Sequence, residues 1–583
     1  MRIPEERFFP TSDGTRLFYR YWPALNGPAT QAVVLFHRGH EHSGRLQHIV
    51  DELELPELAM FAWDARGHGR SFEEQAGEAS IGTLVKDVDD FARHITATYA
   101  IATEELAIVG QSVGSVLVAT WVHDFAPRIR CMVLAAPAFK VKLYVPLARP
   151  TLRLMHALRG NFYVKSYVKP GALTHDPERI ASWLNDPLIR RPIPVNILLA
   201  LYSTSDRVID DAQAIQVPTQ VLISGADFVV WKKPQHEFFE RLGAEVKEKH
   251  VFEGFYHDTL GEKDRQPAIT KVREFIMKRL ASPPVRASLL DSDHTGCTRT
   301  EFDRLKQPLP TLSPRALNYA VTRLGMRTGG RLSEGIRLGL ATGFDSGSTL
   351  DYVYRNKPSG YTPLGKLVDW FYLNSIGWRG IRIRKQHLMC LLARAIAALR
   401  EDGQVVRIVD VAAGHGRYVL EAIKAAGPVV ESVLLRDFSE INVEQGKRLI
   451  CEKGLQSVAQ FEKGNAFDRP SLAALDPAPT LGIVSGLYEL FPDNGLVRES
   501  LGGLADAIPA GGYLVYTGQP WHPQLEMIAR TLRSHRDGKP WIMRRRTQAE
   551  MDQLVESAGF VKAEQLTDDW GIFTVSLARR TDH

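Results

Sequence analysis

With 583 residues the chain is longer than one hydrophobic core normally organises, so at least two domains are expected. A hydrophobic content of 44% and a charged content of 24% are those of an ordinary soluble globular protein. A net charge of +5 over this length argues only weakly for an anionic partner, and no nucleic acid is expected. The cysteines (Cys131, Cys297, Cys390, Cys451) lie far apart without a C-x-x-C pair, which indicates neither a zinc site nor a disulfide framework and fits a reducing compartment. Met1 to Gly14 holds no apolar signal core, and no run approaches the ~18 apolar residues of a membrane span, so a cytoplasmic location is expected.

In chain order, Leu17 to Trp22 reads as an opening strand after the Asp13-Gly14 turn. Ala32 to Phe36 is a continuous apolar run suited to a buried parallel strand, and it ends in His37-Arg38-Gly39-His40-Glu41-His42-Ser43-Gly44-Arg45. Phe61 to Asp64 leads into Ala65-Arg66-Gly67-His68-Gly69-Arg70-Ser71. The first half is organised around Ala107 to Ser115, where an apolar strand meets Gly110-Gln111-Ser112-Val113-Gly114 and then Val116 to Trp121, a segment suited to a helix. That is the strand–turn–helix context of a nucleophile elbow. So tight a turn admits only small residues two positions either side of the serine, which gives Gly110 and Gly114 a steric role. Cys131 to Pro137 reads as the next strand. Thr219 to Ser224 ends in Gly225-Ala226-Asp227, and Lys249 to Phe252 runs on to Tyr256-His257-Asp258. Ser112, Asp227 and His257 thus stand at strand ends in the order serine, acid, histidine.

These stretches resemble the α/β-hydrolase superfamily. The loop at 37–45 is similar to the H-G-x-G-E-H-S-G-R of its monoacylglycerol lipase and lysophospholipase branch, with Arg38 and His40 where that branch usually has glycines. Asp64 to Ser71 is similar to the superfamily's D-x-R-G-H-G-x-S turn. The resemblance implies Ser112 as nucleophile on an ester carbonyl, His257 as its base, and Asp227 as the group that fixes the imidazole. It also implies the amides of Gly39 and Val113 as the oxyanion hole. Asp258 neighbours the histidine without an easy way to share its role. Loop histidines within such a signature are more often structural than metal-ligating, and no metal is expected. Residues 139–205 break the strand rhythm with aromatic, basic and apolar residues. Two readings stay open there: a cap whose apolar residues wall an acyl chain, and an ordinary helical insertion with a solvated face.

Ala281-Ser282-Pro283-Pro284 ends this pattern, and the polar, proline-spotted residues up to 312 suit a linker. Arg315 to Leu399 reads as mostly helical. Within it Leu364 to Lys385 mixes aromatics with bases, as a helix resting on a membrane surface or one covering a neighbouring sheet would. Val405 to Asp410 is an apolar strand that enters a small-residue loop, Val411-Ala412-Ala413-Gly414-His415-Gly416, followed by a helical segment. The loop is neither a phosphate loop nor the dinucleotide G-x-G-x-x-G. Ser432 to Asp437 is a second strand, ending in an acid placed to take ribose hydroxyls. Phe461 to Asp468, Leu481 to Glu489, Gly512 to Thr517 and Gly571 to Leu577 supply further units, the last as a hairpin partner.

This series resembles the class I S-adenosylmethionine-dependent methyltransferases over residues 400–583. The resemblance implies S-adenosyl-L-methionine as cofactor, held by Asp410, Ala412, Gly414 and Gly416 at its methionine part, Asp437 at the ribose, and Asn465 and Ala466 beside adenine. Tyr488 to Pro492 and His522 would line the acceptor side as a base or as pocket wall. Arg544-Arg545-Arg546 reads either as a contact for an anionic head group or as a solvated basic turn.

The expected fold class is α/β: an N-terminal α/β-hydrolase fold with a cap insertion, and a C-terminal Rossmann-like class I methyltransferase fold preceded by a helical segment. The expected divisions are 1–280, with the cap at 139–205; a linker at 281–312; a helical segment at 313–400; and the methyltransferase domain at 401–583. The expected function is a fused serine ester hydrolase and methyltransferase. The first half would act on a lipid-type ester such as a monoacylglycerol or lysophospholipid, and the second on a methyl acceptor the sequence does not name. Two alternatives stay open: a hydrolase-like half that only binds substrate, and a scaffold in peripheral contact with the inner membrane surface.

Overall fold

In a computed structural model that describes residues 1–72, 79–536 and 538–582, the chain divides into two units, Met1–Ala287 and Ser288–His583. The first begins with β1 (Glu5–Pro10), β2 (Arg16–Trp22), β3 (Ala32–Phe36), β4 (Ala59–Trp63), β5 (Leu106–Gln111) and β6 (Cys131–Ala135). A hairpin of β7 (Tyr163–Lys165) and β8 (Pro192–Pro194) follows, and then β9 (Thr219–Ser224) and β10 (Lys247–Phe252). All but the hairpin strands form one sheet in the order β1-β2-β4-β3-β5-β6-β9-β10, parallel from β4 to β10. Both faces are covered. Val34, Phe36 and Ile108 point into a core shared with helices Ile81–Tyr99 and Val113–Phe125. Val33, Leu35 and Val109 point into another core shared with helix Gln266–Leu280. Burial on two faces is why these strands read as unbroken apolar runs rather than alternating ones.

In the second unit β11 (Arg407–Asp410), β12 (Ser432–Asp437), β13 (Ala459–Lys463), β14 (Leu481–Val484), β15 (Tyr513–Gly518), β16 (Phe560–Thr567) and β17 (Thr574–Arg580) form a sheet ordered β13-β12-β11-β14-β15-β17-β16. Five strands are parallel, and β17 inserts antiparallel between β15 and β16. The chain steps outward from β11 to β13, then crosses back to lay β14 on the other side of β11. That reversal opens a crevice at the carboxyl ends of β11 and β14, the general ligand position of such sheets. Ile408 faces a core with helices Ile376–Glu401 and Arg417–Ala426, while Val409 faces one with helix Asn494–Ala507. Helix Ile376–Glu401 buries Leu388, Leu391, Leu392, Ala395 and Leu399, the three-and-four spacing of a single apolar face.

The stretch expected to be a linker, 281–312, contains helices Ser292–Thr295 and Cys297–Lys306, whose Phe302 and Leu305 are buried in the second unit. Among the described residues no helix is long and apolar enough to cross a membrane.

Candidate functional site

Ser112 joins β5 to helix Val113–Phe125 at φ +53°, ψ −113°, a conformation disfavoured for any residue with a Cβ. Its neighbours hold it there. The Ser112 amide donates to the Ala135 carbonyl at 2.9 Å, and the Ser112 carbonyl accepts from the Ala138 amide at 3.1 Å. A Cβ on Gly110 would lie 2.8 Å from the Ser115 Cα, and one on Gly114 2.6 Å from the carbonyl oxygens of Phe36 and His37. Backbone crowding therefore imposes the steric role expected of both glycines.

Three distant strand ends converge on this turn. His257 Nε2 stands 2.7 Å from Ser112 Oγ, and His257 Nδ1 stands 2.7 Å from Asp227 Oδ2. Asp227 Oδ1 accepts from the amides of Val229 (2.7 Å) and Val230 (2.9 Å). Burial alone would raise the Asp227 carboxyl, but the His257 imidazole and the two amides hold it below its ordinary value. A carboxylate kept ionised there fixes the proton on Nδ1 and leaves Nε2 free to accept one from the serine.

The loop at 37–45 lies against the elbow. A Cβ on Gly39 would touch Val113 Cγ2 at 3.6 Å, so the two residues expected to form the oxyanion hole adjoin. His40 takes φ +60°, which explains a preference for glycine at this place; Arg38 does not share that conformation. Asp64 clamps the loop, accepting from the Ser43 amide at 2.6 Å and the Arg70 amide at 2.8 Å. The three histidine rings have separate partners. His37 Nδ1 donates to the Arg38 carbonyl, His40 Nδ1 donates to the Arg190 carbonyl, and His42 Nε2 pairs with Asp186. Asp258, next to His257, accepts instead from Arg179 of helix Pro177–Asn185 at 2.9 Å, within a buried cluster that includes Arg38, Glu41 and Arg45. Burial would raise this carboxyl too, but Arg179 and Arg38 hold it well below the usual carboxylate range.

Residues 139–205 include helices Ala148–Arg159 and Pro177–Asn185 and the β7–β8 hairpin. Their helices and hairpin supply Leu152, Tyr163, Trp183, Ile193, Leu198 and Leu201 to the wall of a cavity of about 970 Å³ that also exposes Ser112, His257, Gly39 and Val113.

In the second unit the loop after β11 passes through Gly414 (φ +59°) and Gly416 (φ +72°). Any side chain at Gly416 would strike Leu435. Asp437, at the end of β12, accepts from the Gly414 amide at 2.9 Å, the Ser439 amide at 2.9 Å and Asn442 Nδ2 at 3.0 Å. Beside it Phe438 is 73% exposed. Asp410 is fully buried and accepts from the Tyr418 hydroxyl and, at 3.3 Å, from the Ala412 amide, so it braces the loop from beneath. Burial pushes this carboxyl up to about 7, against the pull of those two hydrogen bonds. Asn465 and Ala466 follow β13; Asn465 Oδ1 accepts from the Phe467 amide at 3.1 Å, and Ala466 is buried.

A second cavity, of about 400 Å³, lies beyond β14 and β15. Its apolar wall includes Ile336, Leu350, Trp378, Ile381, Met527 and Phe573, and Arg384, Glu489, Gln519, His522 and Trp541 line it with polar atoms. Burial pushes the His522 imidazole down to about 4, and its Nδ1 accepts from the Gln524 amide at 3.0 Å. The neutral ring therefore carries its proton on Nε2 and offers the cavity a donor.

The family described as "Putative methyltransferase" matches residues 272–580, more than half of the chain. The chain belongs to that family. Residues 27–264 match a second family, described as "Serine aminopeptidase, S33". The uncharacterized protein YnbC of Escherichia coli K12 is 57% identical across all of this chain and 99% of its own length. A monoacylglycerol lipase of Mycolicibacterium smegmatis is 24% identical across 47% of this chain and 98% of the relative. Among solved structures, a soluble variant of monoglyceride lipase from Saccharomyces cerevisiae in complex with a substrate analog has a TM-score of 0.43 at 17% identity, covering 48% of this chain and 97% of that one. The chain thus carries a domain of the methyltransferase family, and residues before it are similar in sequence to monoacylglycerol lipases.

Within the family domain, one basic run has neither of its expected roles. Arg544, Arg545 and Arg546 are 0%, 3% and 4% exposed. Arg544 pairs with Glu550 at 2.7 Å, Arg545 donates to the Pro520 carbonyl at 2.8 Å, and Arg546 donates to the carbonyls of Tyr488 (2.6 Å) and Phe491 (2.9 Å). The run ties the loop after β14 to the body of the unit, and no head group or solvent reaches it. The stretch 364–385 divides into two helices. Pro363–Leu373 leaves Leu364, Leu367, Trp370 and Phe371 exposed, whereas Ile376–Glu401 covers the sheet. Arg384 and Tyr418 belong to no motif that marks them as site residues. The available signal for Arg384 was a cation three residues after Ile381 and four before Leu388, on the buried face of an amphipathic helix.

Proposed function

We propose that the chain is a two-site enzyme: a serine hydrolase for an apolar acyl ester, and a methyltransferase that uses S-adenosyl-L-methionine. The observation that carries the first half is the Ser112–His257–Asp227 chain of 2.7 Å contacts opening into a capped apolar cavity. Ser112 Oγ attacks the ester carbonyl as its proton passes to His257 Nε2, and the imidazolium is stabilised by Asp227. The carbonyl oxygen, as it gains charge, turns to the amides of Gly39 and Val113. His257 then returns the proton to the leaving alcohol, and water repeats the sequence on the acyl-serine. A monoacylglycerol or lysophospholipid suits the cavity, whose walls are mainly apolar with Arg66, Lys165, Arg190 and Arg191 also among the lining.

The second site fits an adenosine-bearing methyl donor. Asp437 has lone pairs for a ribose diol, Gly414 exposes backbone at positive φ, and the uncovered Phe438 offers a face to an aromatic ring. S-adenosyl-L-methionine bound there supplies a methyl group on a sulfonium. Asp410 and Tyr418 hold the loop in place, and Asn465 and Ala466, after β13, would flank the adenine.

Both halves are tested on the purified full chain. Release of acid from p-nitrophenyl esters, monoacylglycerols and lysophospholipids is expected from the wild type and lost in Ser112→Ala, with calorimetric S-adenosyl-L-methionine binding equal in the two. Equal hydrolysis by Ser112→Ala would sink the first half, and no cofactor binding by either protein would sink the second.

A further inference from the structure

The cavity of about 400 Å³ beyond β14 and β15 is lined by the acids Asp345 and Glu489 and by donors of Arg384, Gln519, His522 and Trp541. Arg384 Nε, Gln519 Nε2 and Trp541 Nε1 are buried without a hydrogen-bond partner among the described residues. Arg384 and Gln519 are only 3% and 4% exposed. Buried donors left unmade are destabilising, so three that line one cavity point to a ligand that brings acceptors. His522 Nε2–H is another donor in the same wall.

The two acids of the wall leave the donors of Arg384 untaken. Glu489 Oε1 lies 3.6 Å from Arg384 Nη1, beyond a hydrogen bond. Asp345, the other acid in the wall, is committed to Ser534 Oγ at 2.6 Å and the His535 amide at 2.6 Å. Arg384 stacks over the Phe573 ring at 5.0 Å and lies against Gly486, where a Cβ would come 3.0 Å from Nη2. The planar guanidinium is therefore fixed in orientation with donors to spare, the geometry that suits a carboxylate.

We propose that this cavity seats the carboxylate of an amphipathic organic acid on Arg384 and Gln519, with its apolar body against Trp378, Ile381 and Met527, and that this acid is the methyl acceptor. The acceptor half of the proposal rests on the methyltransferase reading; the binding half does not. In the transfer a carboxylate oxygen bonds to the methyl carbon of the sulfonium donor as the carbon–sulfur bond breaks, its electron pair staying on sulfur. A neutral methyl ester and a thioether result, and no proton has to be removed. The site accordingly needs no base, which agrees with a histidine held as a donor. Hydrolysis of an acyl ester, the reaction proposed for the first unit, releases an acid of this class, so the product of one reaction is the substrate of the other.

The test is photolabelling of the full chain by a diazirine-bearing decanoic acid and by the matching alcohol, with labelled peptides located by mass spectrometry. Cofactor binding is measured by calorimetry on the same samples. Label from the acid is expected on peptides spanning residues 376–384 or 524–543, at least tenfold above the alcohol. It should be retained in Ser112→Ala and lost in both Arg384→Gln and Gln519→Leu. Should Arg384→Gln fail to fold, the milder Gln519→Leu still reads the site. Equal labelling by the alcohol, or label confined to the cap of the first unit, overturns the proposal. Cofactor binding without acid labelling overturns it while sparing the methyltransferase reading; acid labelling without cofactor binding keeps the carboxylate site and removes the acceptor role.

Discussion

Gly114→Ala is a small perturbation with a large expected effect. The new methyl would stand 2.6 Å from the carbonyl oxygens of Phe36 and His37, where ordinary contact begins at 3.4 Å, so backbone must yield by about 0.8 Å. The yielding segment is the end of β3, which leads directly into Gly39. An amide that meets the developing oxyanion at ~2.9 Å would be carried to ~3.7 Å, outside hydrogen-bonding range. Loss of one such donor typically costs ~10²–10³ in kcat, equivalent to ~2.7–4 kcal/mol of transition-state stabilisation. KM should change little, because a ground-state carbonyl draws less on that amide than the charged intermediate does. The assay is steady-state hydrolysis of one ester by Gly114→Ala and by Gly171→Ala, an exposed glycine with no atom within 4 Å of its would-be Cβ. Retention of kcat within threefold of wild type in Gly114→Ala, with its fold intact by circular dichroism, would refute the assignment of Gly39 to the oxyanion hole.

Three further predictions concern the second unit. Asp437→Ala removes the acceptor from the Gly414 amide and from the expected ribose diol, so the calorimetric Kd for S-adenosyl-L-methionine should rise at least ~tenfold while ester hydrolysis is unchanged. Asp410 carries a carboxyl raised from 3.8 to about 7, so the folded state binds more protons than the unfolded one between those values and its stability falls as pH rises through that window. The penalty at pH 8 is ~4 kcal/mol at most, and Asp410→Asn should raise the unfolding midpoint at pH 8 much more than at pH 4; an equal shift at both would mean the carboxyl titrates normally. Arg544→Met leaves Glu550, 1% exposed, without its closest cation and should cost ~3–5 kcal/mol, read as a lower midpoint for the second unit. Arg544→Met with Glu550→Met should recover much of that loss, since the two replacements bury no charge.

What was legible in the sequence was local. A strand, a tight turn and a helix occupy the consecutive residues 106–125 around Ser112, and their chemistry shows in residue type alone: small where backbones meet, apolar where both sheet faces are covered. The same holds for the loop after β11. The order Ser112, Asp227, His257 carried more, because parallel strands with crossovers bring successive strand ends to one edge, and the structure closes the three at 2.7 Å. β1 and β16 went unread, since edge strands are half exposed and lack the apolar run that marked the others. Charge was the least legible property. Three consecutive arginines suggest solvent or an anion, yet Arg544, Arg545 and Arg546 are buried because Glu550, Glu301 and a row of carbonyls from distant segments meet them. Arg384 is the converse case. It sits in a stretch that reads either as a membrane-surface helix or as one covering a sheet, it is turned inward, and among the described residues no acid or carbonyl fully satisfies it. A buried cation that the fold does satisfy is architecture. One that the fold leaves with unmade donors, facing a cavity beside the crevice between β11 and β14, implies an acceptor from outside the chain.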